Sequence, residues 1–197
     1  MKKYIVFDTE TTGLPKDYKA SAKDVDNWPR IIQIAWVIFD ENEAVLKSRC
    51  EKIKPNGWVV PKEKFWIEHG YNTEDCEANG VELQPLVQEL IEDMNGCDLL
   101  ISHNMSYDSK VLGAEMYRMK MDTEGRIKKF CTKEASTDFC QLTPKMYGRF
   151  KWPKLIELHR KLFGTAFDDA HDALADVKAC GRCFFEMKRR GIIKLEV

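Results

Sequence analysis

The strongest constraint on this chain is a short apolar run that ends in two acids. Tyr4-Ile5-Val6-Phe7 is β-branched and aromatic, and it leads into Asp8-Thr9-Glu10-Thr11-Thr12-Gly13. A run of this kind, bounded by a glycine, reads as a strand buried on both faces. Acids at the end of a buried strand are costly unless they are paired or bound to a cation. Residues i and i+2 of a strand point to the same side, about 6–7 Å apart, so Asp8 and Glu10 can converge on one point. Oxygen ligands placed this way suit a divalent cation. On this stretch alone a second reading is equally open: a strand end reaching solvent, with Asp and Thr starting a turn.

Strands and helices then follow one another. Leu14 to Arg30 is a polar excursion, rich in Lys and Asp, with little expected core value. Ile31 to Phe39 is strongly apolar, Asp40 to Glu43 is a turn, and Val45 to Ile53 resumes a strand pattern, which together read as an antiparallel hairpin. A short helix is expected after Pro61, and Asn72 and Thr73 are good helix-capping residues. Leu83 to Met94 has helical apolar spacing, with Gly96 as its cap. Leu99 to Ile101 reads as a short strand running into Ser102-His103-Asn104, and Met105 to Met121 as a helix carrying Asp108 in its first turns. Phe130 to Thr132 reads as another short strand. Leu155 to Phe163 and Ala173 to Arg189 read as helices. This order predicts one α/β domain with a mixed sheet, spanning 1–197.

Composition narrows the class. A 44% hydrophobic and 32% charged chain is globular and not disordered. No apolar run approaches the ~18 residues of a membrane span, and the one after Lys2 and Lys3 stops at Asp8, too short for a signal peptide. A cytoplasmic protein is the expectation, and its seven irregularly spaced cysteines, Cys180 and Cys183 included, read as packed, reduced thiols and not a zinc site. Glu68 to Asp98 carries acids and no Lys or Arg. Lys110 to Lys161 is basic on balance, with Phe130, Tyr147, Phe150 and Trp152 interleaved. Such a stretch can track phosphates, or it can be an ordinary solvated face.

The remaining acids gather near the same strand ends. Asp8 and Glu10, then His103-Asn104 with Asp108, then His171 with Asp176 can meet in the crevice where the strands of an open α/β sheet end. By spacing, Asp168, Asp169 and Asp172 are further candidates; Asp168 or Asp169 reads as a helix cap and Asp172 as solvated, while His159 reads as structural or exposed.

These segments carry a resemblance. Phe7-Asp8-Thr9-Glu10-Thr11-Thr12-Gly13-Leu14 resembles the first motif of the DnaQ-like (DEDDh) 3′→5′ exonucleases, a branch of the ribonuclease-H-like fold. His103-Asn104-Met105-Ser106-Tyr107-Asp108 resembles the second, and His171-Asp172-Ala173-Leu174-Ala175-Asp176 the third, in the same order. The resemblance implies a mixed central sheet flanked by helices. It implies that Asp8, Glu10, Asp108 and Asp176 serve two divalent cations, Mg²⁺ or Mn²⁺, with Asp108 often acting through water, and that His171 is the general base. It places Thr9, Thr11, Leu14, His103 and Asn104 near the terminal nucleotide, and His69-Gly70 resembles a substrate-contacting pair.

The function implied is metal-dependent hydrolysis at the 3′ end of single-stranded or frayed DNA, releasing nucleoside 5′-monophosphates. An RNA exonuclease trimming short oligoribonucleotides and a non-catalytic nucleic-acid scaffold of the same fold are the alternatives. Nucleic acid is the expected partner, with no membrane role. A polymerase partner is possible, although the chain ends at Val197, soon after the last expected helix, with no obvious tethering tail. The stretch 15–30 reads as a lip beside the site or a plain surface insertion.

Overall fold

The computed structural model describes residues 1–122, 127–144, 148–168 and 172–195. Five strands form one sheet: β1 (Lys3–Thr11), β2 (Ile31–Asp40), β3 (Val45–Lys52), β4 (Leu99–Ser102) and β5 (Lys128–Cys131). Their order is β3-β2-β1-β4-β5, with β1 in the centre. The β1–β2 and β2–β3 pairs are antiparallel, and the β1–β4 and β4–β5 pairs are parallel. The helices are α1 (Lys64–Glu68), α2 (Thr73–Asn79), α3 (Leu83–Asn95), α4 (Met105–Arg118), α5 (Thr132–Ala135), α6 (Thr137–Cys140), α7 (Leu155–Phe163) and α8 (Ala173–Arg189).

The sheet is covered on both faces, and strand alternation decides which residue serves which face. Tyr4 and Val6 of β1 pack with Ala35, Val37 and Phe39 of β2 against Leu158 of α7 and Val177, Cys180 and Phe184 of α8. Ile5 and Phe7 point the other way, with Ile34, Trp36 and Ile38, against Leu86, Val87 and Leu90 of α3 and Val111 and Leu112 of α4. Gly181 lets α8 lie close on the sheet, since a Cβ there would meet the Phe39 ring at 3.0 Å. Cys180 and Cys183 are packed inside this layer, and burial pushes the Cys183 thiol up to about 12.

Most expected elements form where the sequence places them. The hairpin turn closes on Asp40, whose Oδ1 accepts from the backbone N–H groups of Asn42 and Ala44. Asn72 caps α2 by accepting from the Asp75 N–H. Gly164 ends α7 with φ 79°, a conformation open to glycine without penalty. Three acids between Glu68 and Asp98 meet the edge strand β3: Lys47 reaches Asp93 at 2.6 Å, Arg49 reaches Glu89 at 3.0 Å, and Lys52 pairs with Asp75.

One expectation is corrected. The polar excursion before β2 contributes to the core, because Trp28 is only 4% exposed and packs under α4. The loop is strapped from several sides. The Trp28 indole donates to the Ser21 carbonyl at 3.0 Å, Asn27 bonds the backbone of Asp17 in both directions, and the Arg118 guanidinium donates to the carbonyls of Val25, Trp28 and Pro29. A lone tryptophan in a charged stretch gives no periodic signal, which is why the sequence pattern hides it. No helix among the described residues is long and apolar enough to cross a membrane.

Because α8 rests on the sheet at Gly181, the Gly181→Val substitution overpacks that contact. It is expected to destabilise the protein by about 1–3 kcal/mol. Urea denaturation, read as a lower midpoint at unchanged slope, checks it.

Candidate active site

β1 is longer than its parallel neighbour. It pairs with β4 only from Tyr4 to Val6, while its pairing with β2 runs on to Thr11, with a register shift between Glu10 and Thr11. Beyond Val6 the strand therefore borders an opening in the sheet on its β4 side. Asp8, Thr9, Glu10 and Thr11 lie along that opening.

Strand parity sorts these four residues into two pairs. Asp8 and Glu10 continue the Tyr4/Val6 face, toward α8. There they meet Asp176, one turn into α8, and the three carboxylates offer oxygens within 4.8 Å of one another. Thr9 and Thr11 continue the Ile5/Phe7 face, toward α4. The Thr9 hydroxyl donates to Asp108 Oδ1 at 3.0 Å, and Thr11 Oγ1 lies 2.6 Å from the Tyr107 hydroxyl. Asp108, 2% exposed, also accepts from the Ser102 hydroxyl at the end of β4. It stands beside the cluster and is not part of it.

The electrostatics follow. Burial and then repulsion from Asp108, Glu10 and Asp176 hold the Asp8 carboxyl well above the usual range. Burial and then repulsion from Asp176 and Asp108 raise Glu10 to about 8. Asp108 rises to about 6 through burial, opposed by its hydrogen bonds from Ser102 and Thr9. No Lys or Arg among the described residues pairs with Asp8 or Glu10, and no hydrogen-bond donor among them meets either carboxylate. A convergent, all-oxygen set of three acids, with no Lys or Arg among the described residues paired to Asp8 or Glu10, fits a divalent cation.

The start of α8 is held by a polar hub on β2. Gln33, opposite Glu10 in the sheet register, accepts from the Tyr71 hydroxyl at 2.7 Å and from the Ala173 N–H at 2.9 Å. Its amide donates to Asp172 Oδ2 at 3.3 Å. Asp172, read from sequence as solvated, is instead the N-cap of α8, accepting from the Ala175 N–H at 3.0 Å. Asp168 is exposed, and Asp169 lies outside the described residues. Neither Gln33 nor Tyr71 was a candidate from sequence. The available signal was a lone amide within the apolar run Ile31 to Phe39 of β2.

The other expected residues take varied positions. Leu14 is 75% exposed at the lip of the opening. The Thr11 and Tyr107 hydroxyls both lie within 3 Å of the Gly13 carbonyl, and the Trp66 indole donates to the Thr11 carbonyl at 3.0 Å, so the turn after β1 is braced from α4 and α1. His69 is exposed, its ring centroid 4.6 Å from that of Phe65. Both ring nitrogens of His103 are engaged within the protein. Nε2 donates to the Pro153 carbonyl at 3.0 Å, Nδ1 lies 2.9 Å from the Thr132 hydroxyl, and burial lowers its pKa to about 4. Asn104 precedes α4 and accepts from Lys133. His159 is buried, with Nδ1 against the Thr165 carbonyl at 2.8 Å. His171 lies outside the described residues.

The exonuclease family RNase_T matches residues 5–184 of this chain. The chain belongs to that family. It is 28% identical over 208 aligned residues to the DNA polymerase III PolC-type of Streptococcus thermophilus, covering 98% of this chain and 12% of that protein. For the PolC-type protein of Listeria innocua the identity is 25% over 186 residues, covering 89% and 10%. The chain thus spans about a tenth of the length of these curated relatives. Among solved structures, E. coli Exonuclease I in complex with a dT13 oligonucleotide matches 96% of this chain and 42% of its own at 17% identity, with a TM-score of 0.72. The ExoI/SSB-Ct complex matches with a TM-score of 0.70 at 16% identity, over 96% of this chain and 41% of that one. The expected α/β architecture, a ribonuclease-H-like mixed sheet flanked by helices, is the one observed.

The burial of the acids, and then their repulsion, has a thermodynamic consequence. Glu10 titrates near 8 in the folded chain against an ordinary 4.5, so between those values the folded state holds more protons than the unfolded one. The contribution of this site to stability is intact below about pH 4.5 and declines as pH rises toward 8. Without divalent cation, Asp8→Asn should therefore raise the melting temperature at pH 8. Mg²⁺ or Mn²⁺ should raise the melting temperature of the unsubstituted protein more at pH 8 than at pH 6. Thermal denaturation with and without EDTA checks both.

Proposed function

We propose that this exonuclease domain hydrolyses phosphodiester bonds at the 3′ end of single-stranded or frayed DNA, releasing nucleoside 5′-monophosphates. The observation that carries the reading is the convergence of Asp8, Glu10 and Asp176, with no counter-charge on Asp8 or Glu10 among the described residues, in a chain of an exonuclease family. Preference for DNA is supported by relatives named as DNA polymerases and by an Exonuclease I structure that holds dT13. The PolC-type relatives also support association with a polymerase as the setting for this activity.

Asp8, Glu10 and Asp176 are the direct cation ligands in this reading, and their all-oxygen character favours Mg²⁺ or Mn²⁺ over zinc. Divalent cations, when bound, neutralise charge at the phosphate and lower the pKa of water. Asp108 adds negative charge from the α4 side, held in place by Thr9 and Ser102. His171, assigned by its place in the third motif, takes the proton from the attacking water, because a histidine near its ordinary pKa is half neutral close to physiological pH. The braced turn from Thr11 to Leu14 forms the wall for the terminal nucleotide, and exposed Leu14 offers its base an apolar surface. His69 and Asn104 border the same nucleotide. His103 acts from behind, pinning the loop at Pro153 to the start of α4.

Purified protein should shorten a 5′-labelled single strand stepwise from its 3′ end in Mg²⁺ or Mn²⁺, and EDTA should stop it. Asp8→Ala should fall to background while its circular dichroism stays native; full activity in that variant sinks the reading. Parallel time courses on matched DNA and RNA strands should favour DNA.

His171→Ala should lower kcat by about 100-fold or more, the usual contribution of a general base, while cation affinity measured by calorimetry is retained.

A further inference from the structure

One rim of the opening carries a cation and an aromatic ring that the reaction does not use. Lys133, in the first turn of α5, places its ammonium 4.7 Å over the Trp152 ring and donates to Asn104 Oδ1 beside the site. Its charge also reaches Asp108, whose carboxyl it draws downward. No carboxylate among the described residues forms an ion pair with Lys133, whereas neighbouring Lys151 is matched by Glu157 at 2.8 Å. Trp152 remains 59% exposed although Lys133 covers part of it, and Phe150, two residues earlier, is 40% exposed. The segment bearing both rings is fastened twice: the Pro153 carbonyl accepts from His103 Nε2 beside the site, and Lys151 forms a β-bridge with Leu142 after α6.

We propose that Lys133 and Trp152 form a subsite for single-stranded nucleic acid upstream of the scissile bond, with a phosphate on Lys133 and a base stacked on Trp152. The inference rests on the exonuclease reading above. Three observations select this occupant. The cation is not matched by an acid among the described residues, so it complements a phosphate. An exposed indole is a costly surface feature that any base can cover, because every base offers a π-face. The pair lies within one hydrogen bond of Asn104, at the foot of the helix that carries Asp108, so a strand whose 3′ end enters the carboxylate site can pass over it.

The subsite makes affinity depend on strand length. Unsubstituted protein should have a much lower KM for a dT12 strand than for a dT2 dinucleotide. Trp152→Ala should shrink that KM ratio about 5- to 20-fold, the lower range for loss of one stacked base, and Trp152→Phe should restore most of it. Lys133→Gln should reduce the slope of log Kd against log salt for dT12 by about 0.7, one phosphate contact on a single strand. Binding of fluorescein-labelled dT12 in EDTA, read by anisotropy, keeps the two readings apart. A wild-type length ratio and salt slope in both variants, with cleavage intact, overturns the subsite and leaves the exonuclease reading standing. Binding that weakens with Trp152→Ala in a protein that cleaves nothing supports the subsite and overturns the exonuclease reading. The same length series with oligouridylate shows whether the subsite admits ribose.

Discussion

The repulsion among Asp8, Glu10 and Asp176 is the interaction around which the rest of this structure is arranged. Two of the acids sit on the central strand and the third on the helix that packs over it, with oxygens within 4.8 Å. Left alone, such a cluster opposes folding: burial first and mutual repulsion second raise the titration of Asp8 and Glu10. It persists because the scaffold over-determines it. β1 is hydrogen-bonded to β2 along its length and to β4 from Tyr4 to Val6, its apolar first half is buried on both faces, and α8 is seated by Gly181 and by the Gln33 hub. Strain kept by a rigid frame is what a cation site requires, since the cation then binds without reorganising the protein.

The period-2 alternation of one strand divides the labour. The acids of Asp8-Thr9-Glu10-Thr11 face α8, and the threonines face α4. Each threonine orients a group of the second motif: Thr9 holds Asp108, and Thr11 meets Tyr107. A single four-residue stretch thereby couples the two helices that complete the site. The same logic gives Asp108 its separate character. It is satisfied by hydrogen bonds from Ser102 and Thr9, while Asp8 and Glu10 lack such partners among the described residues.

The surroundings are polar contacts that brace short pieces of irregular chain. Trp66 holds the turn after β1, His103 holds the segment at Pro153, and Arg118 gathers three carbonyls of the loop before β2. Each uses a long side chain to bond backbone carbonyls of turns and loops. Exposed Leu14 and exposed Trp152 are thus carried by braced segments of chain.

Much of this was legible from the amino-acid order. Local signals are strong where periodicity is strong, so β1, the β2–β3 hairpin, α3, α7 and α8 fall where apolar spacing places them, and three short motifs point to the acids. The order of residues also determined that Asp8 and Glu10 share a side, because a strand alternates whatever it packs against. What only the tertiary structure decided were matters of partner and not of residue type. Trp28 became core because Arg118 and α4 fold the loop inward; Asp172 became a cap because Gln33 meets it from β2; both nitrogens of His103 were taken by Thr132 and Pro153. Those contacts join positions far apart in the chain, and no local pattern encodes which distant atom will satisfy a given polar group.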